Sequence, residues 1–396
     1  MQIEENKLCC GCGACENICP KSAITMVQNN KGFYIPQIDK LKCIECGMCD
    51  NICPVFNHKT DNDPKPEVYS FVSKDEKTRL KSASGSVFPV FAKYIIKNGG
   101  VVFGCVWDEN ITACHTKAET IQELEKMYSS KYVQSNTKNT YSQAKELLNS
   151  GRHVLYTGTP CQIAGLKSFL QRDYDNLLTM EVICHGTPSP KVLEQYKNEF
   201  MKSKRKGEIL ENINFRSKIK GWDINYLLTT TTTTTTHCPA LKDPYMKCFL
   251  FNLSINESCI HCKFNQLPRT ADITMGDFWG VENYDNSLND KKGISIILIN
   301  SQKGREYYDK IKKNCYTTSV PLDYVTKHNP NITGSSKPHP KHDEFFKEFI
   351  EGKTSLKKLS KKYVKTYPWI LRMFYKLMPQ NIKNLIKKYI LRKADA

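Results

Sequence analysis

Two short stretches constrain this chain more than any other feature. CCGCGACENICP, Cys9 to Pro20, and CIECGMCDNICP, Cys43 to Pro54, share the spacing Cys-x2-Cys-x2-Cys-x3-Cys-Pro. The first run uses Cys9, Cys12, Cys15 and Cys19; the second uses Cys43, Cys46, Cys49 and Cys53. Zinc is usually held by Cys-x2-Cys pairs set apart by a longer loop, whereas thiols at successive three-residue steps wrap one backbone turn around the corner of an iron–sulfur cubane. In two-cluster ferredoxins the fourth cysteine of each run ligates the other cluster. That rule assigns Cys9, Cys12, Cys15 and Cys53 to one 4Fe-4S cluster, and Cys43, Cys46, Cys49 and Cys19 to a second. Gly11, Gly13, Ala14 and Gly47, small residues between ligands, let backbone N–H groups approach the sulfides. Cys10 falls outside the register and reads as a spare thiol.

Context agrees with metal rather than disulfide chemistry. The chain opens MQIEENKL, without a basic segment leading into an apolar one, and no window of eighteen largely apolar residues occurs. The expectation is a cytoplasmic protein, where eighteen cysteines serve metals or catalysis.

The ferredoxin-like module takes residues 1–56, and the Pro- and Asp-rich NHKTDNDPKPE, residues 57–67, reads as a linker. Beyond it, β-branched apolar runs alternate with helical ones, the pattern of an α/β domain over residues 68–345. VYSFVS, GVVFGCVW and GISIILIN read as strands, and ETIQELEKM as a helix. GRHVLYTGTPCQIAGLKSFL and NLLTMEVICHGTPSPKVLEQY each read as strand, turn and helix, with Cys161 and Cys184 just after their strands. If those strands are neighbours in one parallel sheet, the two cysteines meet at its carboxyl edge. NESCIHCKFNQLPRTADITMGDFWG adds Cys259 and Cys262. Cys161, Cys184, Cys259 and Cys262 then make a candidate third tetrathiolate site, with zinc or unligated cysteines flanking a cofactor as alternatives. The fold class is therefore α+β: a bacterial-ferredoxin-like module with two 4Fe-4S clusters, a larger α/β domain and a basic helical tail.

KSASGSVF, SSKYVQS, YTGTPCQIAGL, ICHGTPSP, NFRSKIKGW and CIHCKFNQLPRTADITMGDFWG, in that order behind a double cysteine run, resemble the coenzyme F-420 hydrogenase/dehydrogenase beta-subunit family. The resemblance implies an oxidoreductase carrying FAD beside iron–sulfur clusters, with coenzyme F-420 as one acceptor in the family, and it supports a third 4Fe-4S cluster at the four later cysteines. Carried over by position, it implies a flavin pocket lined by Ser82, Ser84, Gly85, Ser86, Lys131, Tyr132, Thr157, Gly158, Thr159, Pro160, Gly276, Asp277, Phe278 and Trp279. Relatives often have two glycines where this chain has Gly85 followed by Ser86. Lys131 would pair with pyrophosphate or stabilise an anionic ring, and His185 would shuttle a proton to reduced flavin; each has a bland reading as a solvated lysine or a locally bonded histidine. Arg216, Lys218 and Arg269 are candidate anchors for an anionic substrate, or members of ordinary ion pairs. Asp272 and Asp277 read as turn and cap residues.

The eight-threonine tract Thr229 to Thr236 is β-branched throughout and reads as one exposed strand. Residues 346–396 read as the tail; more than half of the net charge of +18 lies after residue 350. Ile370, Met373, Phe374, Leu377 and Met378 share one helical face, and Ile382, Leu385, Ile386, Tyr389 and Ile390 share another. Such helices suit the anionic inner surface of a membrane, a partner subunit or the chain's own core. Nucleic acid is not expected, because no binding motif or aromatic platform accompanies the charge. Three functions fit: a flavoenzyme relaying electrons from a redox partner protein or carrier through clusters to FAD and a small-molecule acceptor, a non-enzymatic electron-transfer subunit, and a membrane-surface assembly factor with structural clusters.

Overall fold

The computed structural model describes residues 2–222 and 226–364. Its N-terminal part is a hairpin of β1 (Ile24–Gln28) and β2 (Tyr34–Ile38), antiparallel, packed against the short helices Ala14–Ile18 and Met48–Asn51. Each helix is entered through a glycine in the left-handed region, Gly13 at φ 78° and Gly47 at φ 71°. A side chain there would strain the turn that carries the cysteines.

The main sheet contains β3 (Glu67–Ser73), β4 (Val101–Trp107), β5 (Ala113–Ala118), β6 (Val154–Gly158) and β7 (Leu177–Val182). A separate sheet follows, formed by β8 (Leu210–Ser217), β9 (Tyr226–Thr231) and β10 (Thr235–Pro239); then β11 (Ile273–Asp277), β12 (Ser295–Ile299) and β13 (Cys315–Ser319) complete the main sheet. Its eight strands run in the order β13-β3-β12-β11-β7-β6-β4-β5. The pairings make β3, β4, β6, β7 and β11 parallel to one another, while β5, β12 and β13 run against them. Side chains alternate between two covered faces. Val101, Phe103, Val154 and Tyr156 pack under the helices Thr140–Asn149 and Pro160–Leu170; Val102, Leu155, Leu178 and Met180 pack under Val87–Lys97 and Gln302–Ile311. Burial on both sides accounts for runs such as SIILI in β12, every residue of which is buried. The carboxyl ends of the parallel strands bring the segments after Ser73, Gly158, Val182 and Asp277 to one edge.

The N-terminal module is fastened to this sheet domain. The Gln134 side chain accepts from Tyr34 N at 2.8 Å and donates to Cys10 O at 3.2 Å, and Thr137 Oγ1 donates to Cys12 O at 3.0 Å. Asn17 Nδ2 donates to Lys138 O at 2.8 Å. The segment 57–67, read from composition as a linker, is itself anchored: Asn62 Nδ2 lies 2.7, 3.0 and 3.0 Å from the carbonyls of Arg269, Thr270 and Ala271.

Three sequence expectations change. The threonine tract is not one strand but folds into the β9–β10 hairpin, with Thr235 opposite Thr230 and Thr236 opposite Thr229. The tail does not begin at residue 346. Helices His342–Glu351 and Leu356–Tyr363 bury Phe346, Phe349, Leu356, Leu359 and Tyr363 in a core with Phe33, Phe215 and Tyr245, so residues up to 364 belong to the folded body. The apolar faces at Ile370 to Met378 and Ile382 to Ile390 lie outside the described residues. Finally, Arg269 is no substrate anchor, because its side chain is wholly buried: Nε donates to the equally buried Glu181 at 2.5 Å. Glu181 also accepts from Ala271 N at 3.2 Å and Thr274 Oγ1 at 3.0 Å, so the pair joins β7 to β11.

Candidate electron-transfer centre

The chain turns gather the N-terminal thiols into two groups. Cys19, Cys43, Cys46 and Cys49 line one cavity, with Ile24, Ile44 and Met48 beside them. Cys9, Cys12, Cys15 and Cys53 line another. Each group thus takes three cysteines from one run and the fourth from the other. Cys46 of the first group is exposed, while Cys12 of the second is buried. Burial pushes the Cys9 thiol up to about 12 and Cys53 up to about 11, and raises Cys15 well above its ordinary value. Thiolates here need compensating positive charge, which bound iron supplies.

A third cavity holds Cys161, Cys184, Cys259 and Cys262. Cys161 sits in the first turn of Pro160–Leu170, where Thr159 and Gln162 form a reciprocal cap and Thr159 Oγ1 lies 3.2 Å from the thiol. Cys184 follows β7, and Cys259 lies in the short helix Glu257–Ile260, accepting from Thr187 N at 3.4 Å. Burial raises Cys184 well above its ordinary value and pushes Cys262 to about 12. Among the described residues no three His, Cys, Asp or Glu side chains draw close enough to hold a single metal ion. The thiols of each group line one cavity, and four thiolates around one cavity are a donor set that suits a 4Fe-4S cubane.

Sequence reasoning missed Cys10. It lines both the cavity of Cys12 and that of Cys161. Hydrogen bonding to Cys12 and Cys161 raises the Cys10 thiol, and the same contact with Cys10 lowers Cys161. Nothing in the spacing marks this residue, because its neighbour Cys161 arrives from a helix far along the chain.

The residues assigned to a flavin by resemblance come to the carboxyl edge of the sheet, where α/β folds place ligands. Many of their polar groups are engaged within the protein. Ser84 Oγ donates to Ile294 O at 2.8 Å, Gly85 N donates to Ser295 Oγ at 2.9 Å, and the Ser82 and Ser86 hydroxyls are 2.6 Å apart. Lys131 Nζ donates to the carbonyls of Lys126 and Tyr128 at 2.9 Å each and Ser129 at 3.4 Å, and burial lowers it to about 8. Thr157 O lies 3.1 Å from His115 Nε2, and Gly158 and Pro160 shape the following turn. Gly276 packs against Ile183, where a Cβ would come within 2.6 Å.

Arg216 ties three of these segments together, bonding Asp277 at 2.7 Å, Tyr132 Oη at 3.1 Å and Ala83 O at 3.3 Å. Asp277 is thus an ion-pair partner, and Asp272 a sheet cross-link accepting from Thr179 Oγ1 at 2.6 Å. Phe278 is buried, but Trp279 beside it is 45% exposed. The buried Trp222 indole N–H has no acceptor among the described residues, an omission that costs about 1–3 kcal/mol unless a bound group fills it. A file of rings links this edge to the third cavity: His185 lies 5.4 Å from Phe249, and Phe249 lies 4.8 Å from Tyr132. Burial lowers His185, whose Nδ1 is 3.4 Å from Asn331 Oδ1 and Ser336 Oγ. Phe249 carried no signal in the sequence. An aromatic residue in a helical run reads as core.

Crossed cysteine sets on a fold of this kind define an iron–sulfur electron-transfer protein. Residues 8–57 match the 4Fe-4S dicluster domain, and residues 151–324 match the family described as the C terminus of the coenzyme F420 hydrogenase/dehydrogenase beta subunit. Residues 8–57 thus carry a dicluster domain, and residues 151–324 are similar to the C-terminal region of that oxidoreductase family. No curated protein matches it. Among solved structures, a chain of the F420-reducing [NiFe] hydrogenase complex from Methanosarcina barkeri, studied by xenon derivatization, is similar at 18% identity and a TM-score of 0.46; the match covers 74% of this chain and 95% of that one. Among the described residues no helix is long and apolar enough to cross a membrane.

Proposed function

We propose that this protein is a flavin-dependent oxidoreductase with three 4Fe-4S clusters in series, feeding an organic acceptor at the carboxyl edge of its sheet. The observation that carries the reading is the sequence of four-thiol cavities, ordered from the exposed Cys46 group, through the Cys12 group, to the Cys161 group. Electrons enter from a redox carrier at the outer group, where Leu41 is 98% and Ile44 57% exposed. When bound, FAD would collect two electrons singly together with a proton and pass them on as a hydride, to coenzyme F-420 or another organic acceptor.

The chain's own residues set the conditions at that edge. Arg216, held by Asp277 and Tyr132, keeps a positive charge beside the Ser82–Ser86 turn, suited to an anionic cofactor or substrate. Trp222 offers an unspent N–H, and Trp279 an exposed aromatic face. Lys131 would have to release its loop carbonyls before reaching a ligand, so Arg216 is the stronger anion contact. His185, kept neutral by burial, would exchange a proton only through its Asn331 and Ser336 neighbours.

Anaerobic purification with iron, sulfide and flavin counts tests the reading. About twelve iron atoms, four for each cubane, and one FAD per chain are expected. Cys259→Ser should remove about four irons while the first two clusters remain reducible. A wild-type count near eight, with Cys259→Ser silent, would remove the third cluster; absence of flavin would remove the acceptor chemistry.

A further inference from the structure

The register of the first cysteine run leaves Cys10 without a cluster, yet its thiol borders two of the three thiol cavities. Among the described residues, only Cys10 and Val55 lie on the walls of both the Cys12 cavity and the Cys161 cavity. Its backbone is fixed from the sheet domain, since Gln134 Nε2 donates to its carbonyl at 3.2 Å. The helix that bears Cys161 presses on the ligand two residues away: a Cβ added at Gly165 would stand 2.9 Å from both the Cβ and Sγ of Cys12. Cys10 therefore stands on the wall between two ligand groups.

We propose that Cys10 is a positioning residue for electron transfer: a non-ligating thiol that joins the Cys12-bound cluster to the Cys161-bound cluster and tunes their relative potentials through its S–H. The inference rests on the reading that Cys161, Cys184, Cys259 and Cys262 hold a third cluster. A hydrogen bond donated to a ligand thiolate stabilises the reduced cluster, which carries one more negative charge, and so raises its potential. With clusters bound at both sets, one electron would pass from the Cys12 side to the Cys161 side. No bond forms or breaks, and the proton stays on Cys10. Val55, the other residue on the shared wall, is apolar and buried, and a low local dielectric strengthens such a bond.

The test uses the full-length protein, purified anaerobically as wild type, Cys10→Ala and Cys10→Ser, with dithionite as reductant. Iron content, midpoint potentials from spectroscopic redox titration, and the rate of third-cluster reduction in a freeze-quench series are measured for each. Cys10→Ala should keep the wild-type iron count of about twelve, lower the midpoint of at least one of the two adjoining clusters and slow reduction of the third. Cys10→Ser, which keeps a donor, should recover part of both effects. Loss of about four irons from Cys10→Ala would make Cys10 a ligand and overturn the proposal. Full iron with unaltered potentials and rates would overturn it as well, while leaving the three-cluster reading intact. A wild-type count near eight would remove both together.

Discussion

Gly165 of the helix Pro160–Leu170 lies directly against Cys12 of the N-terminal module, so close that a Cβ would stand 2.9 Å from the cysteine's Cβ and Sγ. This contact sets the spacing between the helix that bears Cys161 and the backbone turn that bears the inner thiol group. Gly165→Val should therefore overpack the junction and destabilise the protein by about 1–3 kcal/mol. Anaerobic thermal melts measure the loss, and iron counts should show the inner cluster leaving before the outer one. An unchanged melt would mean that the module docks elsewhere.

Arg269 and Glu181 form an ion pair with neither side chain exposed. Arg269→Met should cost about 3–5 kcal/mol, because it strands a buried carboxylate. Adding Glu181→Leu should recover much of that loss. A denaturant series on the three variants reads the comparison, and no recovery in the double variant would show that the pair's hydrogen bonds to β11 matter more than its charge.

Burial, then the nearby Arg79 and Arg216 charges, lower Lys218 from 10.5 to about 7. The unfolded chain then holds a proton that the native chain resists, and the cost to stability is full below about pH 7 and fades as pH rises towards 10.5. The melting temperature of Lys218→Met relative to wild type should move in the variant's favour as pH falls from about 10 to about 6. A difference that ignores pH would instead reflect the Lys218 bonds to the carbonyls of Arg79 and Ser84, at 2.6 and 2.7 Å.

Two truncations separate the body from the basic end of the chain. Removing residues 351–396 deletes the buried Leu356, Leu359 and Tyr363, and each lost core side chain of this size costs about 2–5 kcal/mol, so this form should not fold. Removing residues 365–396 should leave cofactor content and melting temperature unchanged. If the basic faces bind lipid, the shorter deletion should also abolish pelleting with anionic vesicles; unchanged pelleting would assign the binding to the folded body.

What was legible in the sequence was local. The cysteine register foretold how the eight N-terminal thiols group around two cavities, and VYSFVS, GVVFGCVW and GISIILIN announced strands through continuous apolar runs. Long-range packing was not legible. Arg269 lies in a polar loop sequence and reads as exposed until β7 supplies Glu181. Lys131 curls onto carbonyls of its own loop, which no motif foretells. The threonine tract contains no Gly, Asn or Pro to mark a turn, yet the chain reverses at Thr231, whose N–H bonds Thr234 O at 2.8 Å. Leu356 and Leu359 sit among lysines, and only the aromatic surface of Phe345 and Phe349 shows which side they bury.

The grip of Gln134 on Tyr34 and Cys10 has a consequence for how the protein is made. Its two bonds join residues 100 and 124 positions apart in the chain. A chain made from its N-terminus exposes the cysteine turn and the hairpin first, so both must wait for about a hundred further residues before a single amide fastens them to the sheet domain. Until then the N-terminal thiols lie in a segment that the sheet does not hold.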